Sequence, residues 1–246
     1  MNNWSRGLYL WAIRVWISWI LAYSCPGHCD ELIFKDVTTV AGAYWNWESD
    51  AIDGPAMSAF FLTPWAAAFH PNGTLLAIAE AGGNRIRLLD LRLGQTATLA
   101  GSGVRGFADG IATSAAFRGP RGTAFNPNGA TVAVADTDNH RIRLIDLASG
   151  TTRTLSGAGD SGYADGAASD AQFFAPAALV FAPDGAAIFV ADTAAHRIRR
   201  VDATTGAATT VAGSLVGQPG RADGPASSAL FSSPGGLAVA PGGAWL

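Results

Sequence analysis

The chain has 246 residues, of which 49% are hydrophobic and 14% are charged, and its formal net charge is −3. A hydrophobic content this high excludes a disordered chain, because the chain has enough apolar surface to bury. The 16 basic residues are outnumbered by 19 acidic ones, so no positive excess is available for a nucleic-acid backbone and we predict no nucleic-acid partner.

The first 24 residues have the layout of a secretory signal peptide. Residues 1–14 contain two arginines and no acid, an apolar run follows over 15–23, and Ala22 and Ser24 stand three and one positions before Cys25. This order is typical of an exported protein that is cleaved after a small residue. The apolar run is much shorter than the roughly twenty residues that span a bilayer. We therefore predict a secreted, extracellular protein; the alternative is a membrane anchor formed by the uncleaved segment.

Residues 25–36 form a short tail that contains both cysteines of the chain, Cys25 and Cys29. In an oxidising compartment the two thiols are candidates for a disulfide. The alternative is two unpaired thiols near the end of the chain. Two cysteines by themselves do not supply a four-ligand thiolate zinc site.

From residue 37 to 246 the sequence repeats itself. Prolines at 64, 120, 176 and 234 recur at steps of 56, 56 and 58 residues. The same register holds Asp-Gly pairs at 53, 109, 165 and 223 and phenylalanines at 61, 117, 173 and 231. A period of this length, rich in glycine and β-forming residues, indicates a propeller or solenoid whose units bury their faces only against their neighbours.

One repeat resolves into four short strands joined by turn residues. Asn-Gly and Asp-Gly corners, with a nearby proline, supply the φ angles that hairpins need. In the second repeat the predicted strands are 122–125, 131–135, 141–146 and 151–157. Four antiparallel strands form one blade, and a link of about eighteen residues, ordered by its own phenylalanine, leads to the next blade.

Two segments carry a family motif. Ala135–Arg143 and Ala191–Arg199 resemble the NHL repeat, whose core is Ala-Asp-Thr-x-x-His-Arg-Ile. The resemblance covers residues 37–246 and implies an all-β fold, a β-propeller of four-stranded NHL-type blades. It also implies a structural role for the recurring pairs His140, Arg141, His196 and Arg197. The first copy departs from the motif, with Glu80 in place of aspartate and Asn84 in place of histidine.

The number of blades predicts an incomplete ring. Complete blades span about 64–101, 120–157 and 176–213, and a partial one spans 234–246. Residues 36–42 read as an outer strand without the rest of its blade. We therefore predict a fragment of a longer propeller. The alternative is two half-propellers that close as a dimer.

Recurring acids are the candidates for metal binding. Glu80, Asp136 and Asp192 end the second strands, and oxygen ligands of this kind suit Ca²⁺. The alternative is that each carboxylate accepts backbone N–H bonds in its own turn. No other cofactor is predicted.

Arginines alternate along the predicted third strands, which places them on one side of each blade. One interpretation is a stripe that binds a polyanion, since some propellers of this family resemble RNA readers. The interpretation that we prefer is pairing across neighbouring blades with the aspartates that end the same strands, Asp90, Asp146 and Asp202. The arginines are Arg85, Arg87, Arg141, Arg143, Arg197 and Arg199.

Asn72-Gly73-Thr74 is a glycosylation sequon. The alternative is a plain Asn-Gly hairpin turn, which explains the same residues.

Function is less specified than fold, because propellers host both enzymes and passive binding modules. The sequence has no recognisable nucleophile motif or paired-histidine metal motif, and the predicted first strands are mainly apolar. We predict an extracellular scaffold that binds a protein or glycan partner without catalysis. The alternative is a fragment of a metal-dependent propeller enzyme, similar to lactonases or amidating lyases, whose site lies in other blades.

Overall fold

The computed structural model describes residues 38–43 and 51–240, and the strands in this part of the chain form three antiparallel sheets. Blade 1 consists of β1 (Gly54–Pro55), β2 (Pro64–Phe69), β3 (Leu75–Glu80), β4 (Arg85–Asp90) and β5 (Gln95–Ala100). Blade 2 consists of β6 (Gly110–Ile111), β7 (Gly122–Phe125), β8 (Thr131–Asp136), β9 (Arg141–Asp146) and β10 (Thr151–Ser156). Blade 3 consists of β11 (Pro176–Phe181), β12 (Ala187–Asp192), β13 (Arg197–Asp202) and β14 (Ala208–Gly213).

The sheets confirm the predicted propeller blades. Within each blade, four consecutive strands pair with their sequence neighbours, and short 3₁₀ turns occur at Ala56–Ser58, Ala112–Ser114, Thr137–Asn139 and Thr193–Ala195. First strands of neighbouring blades, β2 with β7 and β7 with β11, lie next to each other. The ring is not closed by the described strands, in agreement with the predicted incomplete ring.

The link is more than a connector, because its Asp-Gly pair adds an edge strand to the blade that follows. Gly54 pairs with Thr96 and Gly110 with Thr152, so blades 1 and 2 have five strands. In blade 3 the same contact is a single bridge to Gly166. The three glycines have φ of 131°, 157° and 156°, a region that strongly favours glycine. The Asp-Gly pair of the link, which the sequence predicts as a turn, therefore contributes its glycine to an edge strand, and the backbone φ at that position favours glycine.

The core consists of the apolar faces between adjacent blades. Phe117 is fully buried in a cluster with residues of blades 1 and 2, and Phe173 is fully buried in a cluster with residues of blades 2 and 3. These two side chains order the link, as predicted. Phe61 holds the same repeat position but is only partly buried. No described sheet covers the outward face of blade 1, which explains the difference.

The predicted partial strands do not form in the described residues. Segment 236–240 of the predicted partial blade and segment 38–42 of the predicted outer strand are not paired in a sheet. A strand needs a hydrogen-bonded neighbour, and no described strand lies beside either segment. Gly42 instead donates its N–H to the carbonyl of Ala56 at 2.8 Å.

Several predictions made from the sequence lie outside the described residues. They are the signal peptide at 1–24 and the tail at 25–36 with Cys25 and Cys29. Among the residues that the structure does describe, none of the helices has the length and apolar character needed to cross a membrane.

Replacing the link phenylalanine with alanine tests the packing between blades. We expect Phe117→Ala to lower the free energy of unfolding by about 3–5 kcal/mol, the usual cost of deleting a buried aromatic ring. Phe61→Ala is the matched control and should cost clearly less, because its ring is only partly buried. Urea unfolding of both variants measures the difference, and equal losses would show that blade 1 is covered in solution.

Candidate functional site

In each of the three described blades, a fully buried arginine lies on the third of the four consecutive strands, which is β4, β9 or β13, and pairs with two carboxylates. In blade 2, Arg143 bonds to Asp136 at the end of β8 at 2.8 Å, and to Asp109 in the preceding link at 2.6 Å. We call such a set an arginine clamp. The other clamps are Arg87 with Glu80 and Asp53 in blade 1, and Arg199 with Asp192 and Asp165 in blade 3.

The other bonds of the guanidinium hold the link against the blade. Arg143 donates to the carbonyls of Ala116 at 3.2 Å and Ala108 at 2.7 Å, and the Phe117 ring lies 5.1 Å from its Cζ. Equivalent carbonyls and phenylalanines are used in blades 1 and 3. Asp109 in turn accepts an N–H of the outer strand β10 at 3.1 Å. Each clamp therefore joins the link to the strands of its own blade.

The predicted partners of these arginines are wrong. Among the residues that the structure describes, Asp90, Asp146 and Asp202 do not pair with arginine; each accepts backbone N–H groups two or three residues ahead in its own hairpin turn. These aspartates stand at the hairpin ends of the strands, whereas the clamp arginines are buried between the blade and its link. Because Arg87, Arg143 and Arg199 have no exposed surface, they do not contribute to a polyanion-binding stripe.

The three candidate metal ligands, Glu80, Asp136 and Asp192, are each buried in a clamp. Besides its arginine, each accepts a backbone N–H from the preceding link, such as that of Arg118 at 2.9 Å, rather than from its own turn. Burial raises the pKa of all three carboxyls, and the bonds to arginine and N–H groups oppose that effect. Within the described residues, no three metal-ligating side chains come together. The oxygens that Ca²⁺ would need already have other partners.

The two repeat histidines connect neighbouring blades. His140 and His196 have left-handed φ of 54° and 57°. Their Nδ1 atoms accept the N–H groups of Ala175 at 3.2 Å and Ser233 at 2.9 Å, in the segments that enter the next blade. Asn84 has the same conformation in blade 1, and its Oδ1 accepts the N–H of residue 119 at 3.0 Å. Asparagine thus replaces histidine without loss of this inter-blade hydrogen bond.

The Arg residues that follow these histidines are covered by aromatic rings of the link. The Cζ of Arg141 lies 3.8 Å from the centre of the Phe107 ring, and that of Arg197 lies 5.6 Å from the Tyr163 ring. The sequon residue Asn72 lies in the exposed turn between β2 and β3, where its Oδ1 accepts the N–H and the hydroxyl of Thr74.

A cleft of about 330 Å³ lies between blades 1 and 2 and contains residues that do not follow the repeat. Where blade 1 has Trp65, the equivalent positions of blades 2 and 3 have Arg121 and Ala177. Asp138, likewise, corresponds to Gly82 and Ala194. The lining residues of this cleft, which we call the blade 1–2 cleft, are Thr63, Trp65, Ala81, Gly82, Asn84, Arg105, Gly119, Arg121 and Asp138.

Two pairs of side chains define the cleft. Trp65 is 55% exposed, and the Cζ of Arg121 lies 4.4 Å from the centre of its ring, within the range of a cation–π interaction. Arg105 forms an ion pair with Asp138. Gly119, at φ 56°, leaves room for that pair, because a Cβ there would lie 2.8 Å from the Asp138 carboxylate. The cleft thus combines an exposed aromatic face with charged groups.

Sequence reasoning did not single out this cleft. Residues that recur in every copy mark what the blade needs in order to fold, and the residues of this cleft do not recur. The useful signal is instead a set of aromatic and charged residues at positions where the residue type differs between the repeats. Trp65, Arg121 and Asp138 are three such positions, and the fold brings them together.

Comparison with known proteins confirms the NHL-repeat resemblance. Residues 117–143 match the family model described as NHL repeat. The chain is 29% identical over 191 residues to Protein SUPPRESSOR OF QUENCHING 1, chloroplastic, of Arabidopsis thaliana, covering 74% of this chain and 18% of that protein. It is 33% identical over 97 residues to NHL repeat-containing protein 2 of Gallus gallus, covering 39% and 13% respectively. The chain therefore spans less than a fifth of these relatives.

A solved structure supports the fold. A structural genomics protein of unknown function from Bacteroides thetaiotaomicron aligns with a TM-score of 0.57 and 18% sequence identity, over 70% of this chain and 41% of that one. At this level of identity the likeness shows the fold alone.

Removing the arginine of one clamp tests its structural role. Arg143→Met should lower the free energy of unfolding by about 3–5 kcal/mol, because it leaves a buried carboxylate without its cation. Arg141→Met, two residues away on the same strand, removes only a partly exposed arginine and should cost much less. Urea unfolding measures the loss, and limited proteolysis should show faster cleavage in link 101–119 for Arg143→Met alone. Equal losses for the two variants would contradict the clamp.

The pH dependence of stability tests the inter-blade hydrogen bond of His140. Burial lowers the pKa of His140, so the folded state holds the proton less tightly than the unfolded state does. The free energy of unfolding should therefore fall as pH decreases from about 6.5 through that lowered pKa. His140→Asn keeps an acceptor, as Asn84 does, and should flatten this part of the pH profile. His70→Asn is the control, because the His70 Nδ1 accepts the N–H of Asn72 in its own turn; identical profiles for the wild type and His140→Asn would contradict the assignment.

Proposed function

We propose that this protein is an extracellular, non-catalytic scaffold that binds a protein or glycan partner at the blade 1–2 cleft. The observation that carries the proposal is the stacking of the half-buried Arg121 on the exposed Trp65, at a repeat position where blade 3 and the partial repeat have alanine and glycine. Tryptophan and arginine are the residue types most enriched at binding hot spots. A cleft of about 330 Å³ with one aromatic face and a few polar groups also has the composition of a ligand site.

The remaining charged residues of the repeats support binding rather than catalysis. In blades 1 and 2, Glu80 and Asp136 at the ends of the second strands and Asp53 and Asp109 in the links pair with clamp arginines. The described repeat histidines use Nδ1 in inter-blade hydrogen bonds. A general base or metal ligand must be available to a substrate, whereas the carboxylates of Glu80 and Asp136 are fully buried in their clamps. In the described residues, no observation favours the alternative of a metal-dependent enzyme.

The extracellular location is part of the proposal and depends on the segment at 1–24. Its two arginines, short apolar run and small residues before Cys25 support export and cleavage. In that setting the Asn72 sequon, which lies in an exposed turn, is accessible to glycosylation in a eukaryotic host.

Site-specific crosslinking in the native host tests this function. A photoreactive benzoylphenylalanine at Val104, which is 72% exposed and adjacent to Arg105, should capture one defined partner that mass spectrometry identifies as protein or glycan. The same group at Leu93, which is 64% exposed in the β4–β5 hairpin, is the control and should not capture it. Trp65→Ala should reduce the adduct about tenfold, a typical hot-spot effect.

Two results would contradict the proposal. The same adducts from positions 104 and 93 would show that the cleft has no partner of its own. A chain that remains inside the cells, instead of appearing in the medium with Cys25 as its first residue, would contradict the extracellular location.

A further inference from the structure

The blade 1–2 cleft has one positive charge without an ionic partner. Arg105 and Asp138 neutralise each other. Arg121 stacks on Trp65, but its guanidinium forms no ion pair or side-chain hydrogen bond within the ranges 38–43 and 51–240. This contrasts with the clamp arginines, whose donors are bonded to carboxylates and carbonyls. The free donors of Arg121 therefore select for a negatively charged group.

The stacking of Arg121 leaves it suited to bind a carboxylate. Stacking uses the flat face of the guanidinium, whereas its N–H groups point outward in the plane of that group. A carboxylate can approach from this direction and form two parallel hydrogen bonds. The Trp65 ring holds the guanidinium at 4.4 Å, which reduces the conformational entropy that Arg121 loses when a ligand binds.

An apolar group is expected next to that carboxylate. Trp65 retains 55% of its surface in contact with water even with Arg121 on its ring. Val104, beside the lining residue Arg105, is 72% exposed. Large apolar side chains that remain exposed beside a cleft mark a contact surface. The volume of about 330 Å³ is at the small end of the range for ligand sites, so it accommodates a short segment.

The remaining polar groups argue against a sugar as the occupant. A sugar ring has hydroxyl groups around its edge, and a site that buries them needs a matched set of donors and acceptors. The Asn84 amide is already bonded to the backbone of residues 82, 103 and 119. Arg105 and Asp138 are bonded to each other. What remains is one cation, one aromatic ring and the single hydroxyl of Thr63, which match an acid next to an apolar side chain better than a ring of sugar hydroxyls.

We infer that the blade 1–2 cleft binds an acidic peptide segment of a protein partner, with a carboxylate on Arg121 and a neighbouring apolar side chain on Trp65. This inference rests on the proposed function and specifies its ligand. The carboxylate belongs either to an Asp or Glu side chain or to a peptide C-terminus, which have the same chemistry for Arg121.

Selection from a displayed heptapeptide library on the full-length chain tests the inference. We expect enriched peptides to contain an acid within two positions of Leu, Met or Phe. A synthetic copy of the enriched sequence, measured by calorimetry, should bind about tenfold more weakly or worse to Arg121→Ala, because a charge-assisted pair is lost. Arg118→Ala removes an exposed arginine of the same link outside the cleft lining, and should change affinity by no more than about twofold.

Three further measurements make the result specific. Changing the peptide acid to its amide should weaken wild-type binding as much as Arg121→Ala does, and the double change should add little more. Comparison of free and amidated C-termini identifies the source of the carboxylate. Arg121→Lys keeps the charge but loses the pair of parallel N–H donors, so it should bind the peptide with intermediate affinity. This variant keeps the test valid if the alanine variant does not fold.

The outcomes separate this inference from the proposed function. Enriched peptides without acids, or equal binding to the wild type and to a folded Arg121→Ala variant, would overturn the inference while the scaffold function stands. Binding of oligosaccharides that contain uronic acid, with no peptide enriched, would also overturn it and leave a glycan scaffold. If neither peptides nor oligosaccharides bind and position 104 captures no partner, the proposed function fails as well.

Discussion

The structure depends on the ion pairs and hydrogen bonds that a buried arginine forms in each blade. A charge removed from water is tolerated only when opposite charges and hydrogen-bond acceptors surround it, and Arg143 has five such bonds in blade 2. One carboxylate comes from the sheet and the other from the link, so the link has to lie along the blade. That position in turn places Phe117 between blades and aligns Gly110 with the outer strand. The course of the link and the position of its phenylalanine in the inter-blade core therefore depend on one ionic requirement.

The repeat period and the short apolar runs were enough to predict the blades, because each strand is a local pattern bounded by turn residues. The partners of the arginines were beyond such reasoning. Arg143 and Asp109 are 34 positions apart, whereas Asp146 is three positions away on the same strand and looks the more natural partner. Only the return of the link along the blade decides between them. The Asp-Gly pair is ambiguous for the same reason, since a turn and an edge strand both use it.

Departures from a repeat have two physical meanings in this molecule. At position 84 the residue type differs, but an amide oxygen accepts the same N–H group that the ring nitrogens of His140 and His196 accept elsewhere. The chemistry is retained, so this departure concerns folding. At positions 65 and 121 the chemistry itself changes, and the new groups are exposed to solvent or available for bonding. Whether a departure keeps or abandons the shared interaction distinguishes a tolerated substitution from a candidate site.

Because each clamp closes inside a single period, the blades are mechanically separable. The acids, the arginine and the carbonyls of a clamp all lie between the link and the third strand of one blade. Loss of one blade leaves the clamps of its neighbours complete, as in quasi-one-dimensional repeat proteins. Tension applied to the two ends would therefore extend the molecule in steps, each releasing one period of 56 residues. A released period of that length corresponds to about 190 Å of extended chain.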